Sequence, residues 1–288
     1  MVKHILSIAG TDPTGGAGLQ ADLKTISALG AYAFTICTAV LAQNTSGVLR
    51  CFSLEPDVVK DQIDAVFEDT QIDAVKIGLV GSPMIVETIV DRLRHYKPGL
   101  VVFDPVISAS SGHTLTTPDT IDVIKEQLLP LCTLVTPNLA ESAILLQCHI
   151  ARSISEMFDQ ANQLLCLSPK WVLIKGGHLK GVDFSPDLLH FAKATWQIET
   201  PRIPAVDTHG TGCTLSAAIA TYLADRDVLT SVQYAKNYVY HAIASHGQLH
   251  TGKGRKPLNH FYKFSKKPQV NSVKDQVAQS RRYYQAPL

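Results

Sequence analysis

Short apolar runs alternate along the chain with longer segments of helical period. Residues 4–9 (His-Ile-Leu-Ser-Ile-Ala) form an apolar run that ends at Gly10, the pattern of a buried strand. A glycine-rich stretch follows over 11–18, and Leu19, Leu23, Ile26 and Leu29 then recur at helical spacing up to Gly30. The same reading predicts strands over 32–41, 74–79, 100–103, 131–135 and 171–174, and a hairpin pairing 188–192 with 194–198. It predicts helices over 58–67, 82–93, 118–129, 153–167 and 230–246, with further helices opening near 139 and 211. Strands alternating with helices predict an α/β domain whose mostly parallel sheet is covered on both faces.

This pattern spans residues 1–264 as a single domain, without an internal repeat. Residues 265–288 are polar and rich in Lys, Gln and Arg, a tail expected to pack weakly. In sheets of this kind ligands bind outside the carboxyl ends of the strands. Asp12, Gln43, Gly78, Asp104, Asn138 and Gly176 each follow a predicted strand and are expected along one rim. Residues 105–116 are small, polar and aperiodic, which predicts a mobile loop beside that rim.

Composition narrows the function classes. With 288 residues, 45% hydrophobic, 18% charged and a formal net charge of +1, the chain gives no electrostatic ground for nucleic-acid binding. Its apolar runs are too short to span a bilayer. The six cysteines are scattered with no C-x-x-C pair, which predicts reduced thiols and a cytoplasmic protein. Five of them (Cys37, Cys51, Cys132, Cys148, Cys166) sit in or beside apolar stretches and are expected as small core residues.

The sixth lies in the most informative stretch, Val206-Asp-Thr-His-Gly-Thr-Gly-Cys-Thr-Leu-Ser216, a glycine-rich turn leading into a helix. The first amides of a helix lack partners and carry partial positive charge, so such a turn is an anion site. Gly210 and Gly212 let the backbone approach an anionic oxygen. Cys213 is expected to have its thiol pKa lowered there, fitting it to take a proton or to attack. Asn138 and Glu141, three apart at a helix start, read either as a cap with a first-turn acid or as oxygen ligands of a hydrated Mg²⁺. The loop over 11–18 is neither G-x-G-x-x-G nor a Walker sequence and is assigned to holding a polar small molecule, with Asp12 and Asp22 its ionisable members. Gln43 ends its predicted strand with a primary amide, both donor and acceptor.

Taken jointly, Ala9-Gly-Thr-Asp-Pro-Thr-Gly-Gly-Ala-Gly-Leu-Gln-Ala-Asp22, Ala42-Gln-Asn-Thr45, Lys76-Ile-Gly78, Thr136-Pro-Asn-Leu-Ala-Glu141, Lys175-Gly-Gly-His178 and His209-Gly-Thr-Gly-Cys-Thr214 closely resemble the hydroxymethylpyrimidine/phosphomethylpyrimidine kinases of thiamine biosynthesis. The likeness runs through Gly252-Lys-Gly254 to about Phe261. It implies a three-layer α/β/α ribokinase-like fold, ATP and Mg²⁺ as cofactors, and a homodimer. The implied acceptors are 4-amino-5-hydroxymethyl-2-methylpyrimidine and its monophosphate. By matched position, Asp22 and Gln43 bind the aminopyrimidine while Ala17, Leu79 and Val106 pack on its ring. Asp104, Asn138 and Glu141 order Mg²⁺; Lys175, Thr208 and Lys253 lie towards ATP. The amides of Gly210, Thr211, Gly212 and Cys213 receive the transferring phosphoryl group, with Cys213 as base or orienting group.

Two departures from the family pattern stand out. Methionine is usual where this chain has Leu79 and Ile107, exchanges of similar volume. Lysine is usual where it has Ser110, and losing that ammonium is expected to weaken the second phosphorylation or shift it to another cation. Three readings compete: a pyridoxal kinase of vitamin B6 salvage, a non-catalytic pyrimidine-binding sensor on a kinase scaffold, and a covalent enzyme using Cys213 with His209. Cys213 speaks against the first, the retained anion site and acids against the second, and the lack of an identifiable acid for His209 against the third.

Overall fold

The computed structural model describes residues 1–108, 112, 114–192, 194–203, 208–249 and 251–264, and the backbone of 279–283. In chain order the first half holds β1 (His4–Ala9), α1 (Gly18–Ala28), β2 (Tyr32–Cys37), β3 (Ala39–Asn44), β4 (Gly47–Ser53), α2 (Pro56–Asp69), β5 (Ala74–Ile77), α3 (Pro83–Tyr96), β6 (Val101–Phe103) and α4 (Pro118–Val123). The second half holds β7 (Leu134–Val135), α5 (Leu139–Leu146), α6 (Ile154–Leu165), β8 (Trp171–Lys175), β9 (Phe184–Phe191), β10 (Ala194–Pro201), β11 (Thr208–His209), α7 (Thr211–Leu223), α8 (Val228–Ala244), β12 (Lys256–Pro257) and β13 (Gln279–Tyr283).

Among the described residues, nine strands form one sheet in the order β13-β10-β9-β8-β7-β6-β5-β1-β2. The run from β2 to β8 is parallel, and β9, β10 and β13 continue it antiparallel. Because side chains alternate along a strand, each face has its own core. Leu6, Ile8, Val75, Ile77 and Phe103 pack with residues of α2 and α3 on one side; Ile5, Ala74, Val102, Leu134 and Leu173 pack with α1, α7 and α8 on the other. The fold is the three-layer α/β/α arrangement expected.

The second face also builds the site. Two residues after Ile5, Ala74, Val102, Leu134 and Leu173 come Ser7, Lys76, Asp104, Thr136 and Lys175. Five neighbouring strands thus follow an inward apolar side chain with an inward polar one, at their carboxyl ends beneath α1 and α7.

Several boundaries differ from the periodicity. The expected strand over 32–41 is two strands, because the Thr38 hydroxyl donates to the Leu79 carbonyl at 2.6 Å and the chain then leaves the sheet as the β3–β4 ribbon. Strand β4 carries no alternation to read: all but its first two residues are exposed. The helix expected over 118–129 is α-helical only to Val123, widens through a π turn (Ile124–Leu128) and then tightens into a 3₁₀ turn (Leu129–Leu131) around Pro130. The strand expected over 131–135 shortens to β7, since Cys132 closes the 3₁₀ turn. The hairpin begins earlier, at Phe184. Within the tail, the backbone of β13 pairs antiparallel with β10.

The cysteines need a correction. Only Cys132 is buried; Cys37 is half-buried, and Cys51, Cys148 and Cys166 are exposed. Cys51 lies on the exposed β4, while Cys148 and Cys166 follow helix ends. An apolar neighbourhood in sequence does not make these positions core.

Candidate active site

Two glycine loops meet at the carboxyl ends of the strands. Gly210 caps α7 at φ +85°, and a Cβ there would collide with the Gly16 carbonyl, so the loop opening α7 lies directly on the loop opening α1. Asp12 ties the two together. Its Oδ1 accepts from the Thr14 amide (2.9 Å) and hydroxyl (2.8 Å); its Oδ2 accepts from Ala17 N (2.7 Å) and Gly16 N (3.1 Å) and faces His209 Nε2 at 2.8 Å. The Gln43 amide also donates to this carboxylate. Burial opposes the charge of Asp12, but these bonds, His209 foremost, hold its carboxyl well below the usual range.

The first bond of α7 runs from Thr214 N to Gly210 O, so the amides of Thr211, Gly212 and Cys213 have no acceptor within the helix. Thr208 and Thr211 hydroxyls lie 2.9 Å apart at the same end. A Cβ on Gly212 would stand 3.2 Å from Lys175 Nζ and 3.4 Å from Asp104 Oδ2, which sets the helix terminus against a charged pair. Lys175 Nζ donates to Asp104 Oδ1 at 2.6 Å and lies 3.7 Å from Glu141 Oε2. Thr136 Oγ1 and Ser216 Oγ also donate to Asp104. Asn138 and Glu141 form a capping box on α5: Asn138 Oδ1 accepts from Ala140 N and Glu141 N, and Glu141 Oε2 accepts from Asn138 N. Both lone pairs of Asn138 Oδ1 are thereby engaged. Burial pushes the Glu141 carboxyl up to about 7, against the pull of Lys175.

The expectation of a lowered Cys213 thiol does not hold. Burial pushes it up to about 11, outweighing the Lys76 ammonium and the Gly18 amide that donates to Sγ. The thiol is protonated at neutral pH. His209 does have a carboxylate, Asp12, so the acid that seemed lacking exists; that pair bridges the loops, while the charges acting on Cys213 are Lys76, Asp22 and Asp104.

Asp22, one turn into α1, is fully buried. Lys76 Nζ lies 2.7 Å from its Oδ2, and Ser7 Oγ donates to the same oxygen at 2.6 Å. Beside them Leu79 and Val106 join Ala39, Leu41, Val48 and Leu115 in a small apolar cluster separate from both cores. Ala17 abuts Gly210. Lys253 is exposed, on a loop held to the β3–β4 ribbon by Gly254 N donating to Thr45 Oγ1 (3.0 Å). Ser110, like residues 204–207 at the start of the central motif, lies outside the described residues.

Sequence reasoning missed Lys76, His209 as a bridge, and Ser216. The signal for Lys76 was present: a lysine at an inward position of an otherwise apolar strand must be paired to be buried.

Comparison with known proteins places this geometry. Residues 12–259 match the family profile described as phosphomethylpyrimidine kinase. A hydroxymethylpyrimidine/phosphomethylpyrimidine kinase of Escherichia coli (strain K12) is 46% identical over 261 residues, 90% of this chain and 97% of that protein. A phosphomethylpyrimidine kinase structure from Clostridium difficile shares 40% identity with a TM-score of 0.73, covering 84% of this chain and 99% of that one. A Staphylococcus aureus pyridoxal kinase in complex with AMP-PCP superimposes with a TM-score of 0.86 at 28% identity, covering 98% and 100%. With its own glycine loops, buried acids and Cys213 in the matched region, the chain belongs to the phosphomethylpyrimidine kinase family.

Proposed function

We propose that this kinase transfers the terminal phosphoryl group of ATP to 4-amino-5-hydroxymethyl-2-methylpyrimidine and then to its monophosphate, for thiamine diphosphate synthesis. The observation that supports this reading is the convergence of the α7 amides that have no acceptor within the helix, the Lys175–Asp104–Glu141 cluster and the buried Asp22 on one rim. Phosphoryl transfer depends on positioning and charge neutralisation more than on covalent chemistry by the protein.

In this reading the amides of Thr211, Gly212 and Cys213 hold the oxygens of the transferring group. Lys175 faces the phosphates, with Thr208 and Lys253 towards the nucleotide. Asp22 and Gln43 bind the acceptor's polar edge, and Ala17, Leu79 and Val106 its ring. The neutral Cys213 thiol orients the acceptor hydroxyl. Burial, which pushes the thiol up to about 11, fits it to this orienting role rather than to that of base in the free enzyme.

The donor set suits Mg²⁺. Glu141 is short of cationic compensation, as its raised pKa indicates, and a hard dication prefers a few carboxylate oxygens plus phosphate. Asp104 and Glu141 would hold the ion, with Asn138 fixing Glu141 through the capping box. When bound it supplies charge neutralisation on the phosphates. The cytoplasm is the proposed compartment, on the strength of unpaired cysteines, and a homodimer follows from family resemblance, to be tested by light scattering.

The test is product analysis by mass spectrometry from Mg-ATP with three acceptors: the hydroxymethylpyrimidine, its monophosphate, and pyridoxal. Monophosphate and pyrophosphate of the pyrimidine are expected. Pyridoxal phosphate as the main product would move the chain to vitamin B6 salvage.

A further inference from the structure

Lys76 is completely buried, as is Asp22, and their contact is 2.7 Å. Burying an ion pair is costly and seldom the cheapest way to stabilise a fold, so its presence at a ligand rim asks for a reason. The arrangement is asymmetric. Oδ2 of Asp22 takes both Lys76 Nζ and the Ser7 hydroxyl, while Oδ1 is buried with no hydrogen-bond partner. An orphaned carboxylate oxygen in a closed site is an acceptor held for a donor that is absent. The balance differs between the partners: Lys76 stays charged, whereas burial leaves the Asp22 carboxyl raised despite the lysine. Asp22 and Asp104 hold Lys76 as an ammonium despite its burial, and Lys76 is the strongest of the influences opposing the burial that pushes the Asp22 carboxyl up.

We propose that Lys76 is a positioning residue that sets acceptor specificity: with Ser7 it locks one oxygen of Asp22, so that the other is held in place as the acceptor for a ring amino N–H. The recognised ligand class is an amino-substituted nitrogen heteroaromatic. A ring bearing a carbonyl in place of the amino group would set oxygen against Oδ1 and be rejected. Without Lys76 the buried carboxyl loses the partner that fixes its orientation and offsets its burial, and with it that selectivity. This inference rests on the pyrimidine-kinase reading above.

The experiment compares kcat/KM for hydroxymethylpyrimidine and for its 4-oxo analogue, in wild type and in Lys76→Met. Wild type is expected to prefer the amino compound by at least about 100-fold, since a site built for one hydrogen-bonding group rejects its mismatch strongly. Lys76→Met is expected to cut that ratio at least tenfold, mainly by raising KM for the amino compound. If Lys76→Met does not fold, Lys76→Gln keeps a donor while removing the charge. Ser7→Ala, a small change in the same lock, is expected to lower the ratio several-fold. A fold-related defect would slow both acceptors alike and leave the ratio unchanged. That result in the folded variants overturns the role of Lys76 while wild-type turnover of the pyrimidine still supports the function. Failure of wild type to phosphorylate either compound overturns both.

Discussion

His209 Nε2 lies 2.8 Å from Asp12 Oδ2 across 197 residues of sequence, and through this contact the loop opening α1 holds the loop opening α7. Asp12 also gathers the amides of Thr14, Gly16 and Ala17, so one carboxylate fixes both walls of the site. Asp12→Asn keeps the shape but gives up charge-assisted bonds, each contributing about 1.5–3 kcal/mol. We expect a loss of about 2 kcal/mol in denaturant unfolding, together with a fall in kcat/KM of at least tenfold. The sign with pH follows from the lowered pKa. A carboxylate depressed in the folded state stabilises above its ordinary value of 3.8 and loses that contribution as pH falls below it. The wild-type advantage over Asp12→Asn should therefore shrink in acid.

Gly210 carries a second, steric requirement. At φ +85°, with the Gly16 carbonyl where a Cβ would sit, alanine must move one loop away from the other. Gly210→Ala is expected to reduce kcat by about 100-fold, the scale seen when donors of an anion site are displaced. Circular dichroism should report a folded protein, because the sheet and both cores lie below this turn.

The fold was legible because the strand–helix alternation is strong: β1, β5, β6 and β8 sit within a residue or two of where apolar runs placed them. The β3–β4 ribbon was not, since β4 faces solvent and carries no period, with Leu49 at 72% and Phe52 at 53% exposure. Within the site, Asp22 and Gln43 came from resemblance. The roles of Asp12 with His209, and of Asp22 with Lys76, depend on contacts between distant segments, which no local spacing encodes. The Cys213 pKa went wrong for a related reason: the helix terminus is readable in sequence, whereas the burial that outweighs it is not.

The Cys213 prediction follows from that correction. With the thiol pushed up to about 11, kcat/KM, which reports ionisations of the free enzyme, should show no dependence on Cys213 between pH 6.5 and 9. Cys213→Ala should lower kcat by about 10- to 100-fold, below the full range for general-base catalysis. A tenfold rise in rate per pH unit that disappears in Cys213→Ala would identify the thiolate as the base instead.

Glu141 titrates in the opposite sense to Asp12. Its carboxyl is raised from 4.5 to about 7, so the folded protein holds a proton that the unfolded chain has released. Its contribution to stability is complete below pH 4.5 and is lost as pH rises to about 7. Thermal melts of wild type and Glu141→Gln at pH 5 and pH 8 should show the wild type losing ground to the variant as pH increases. If Glu141 helps to hold Mg²⁺, adding Mg²⁺ with ATP at pH 8 should stabilise wild type more than Glu141→Gln. Equal stabilisation of the two would remove Glu141 from the metal site.

The last prediction concerns the second phosphorylation. The monophosphate brings its own negative charge to a rim that already holds Asp22, Asp104 and Glu141, while the described cations there, Lys76 and Lys175, are committed to Asp22 and Asp104. A flexible ammonium in the 105–116 loop is the usual family device, and this chain has Ser110 there. A lysine acts as a mobile point charge that neutralises an incoming phosphate without fixed geometry. Ser110→Lys should therefore raise kcat/KM for the monophosphate by about five- to tenfold, an effect of roughly 1 kcal/mol, and leave the alcohol nearly unchanged. Raising the salt concentration should erode the gain to the extent that it comes from charge. An equal change for both acceptors would mean that the loop alters closure rather than charge, and no gain on the monophosphate would show that another cation already serves the second step.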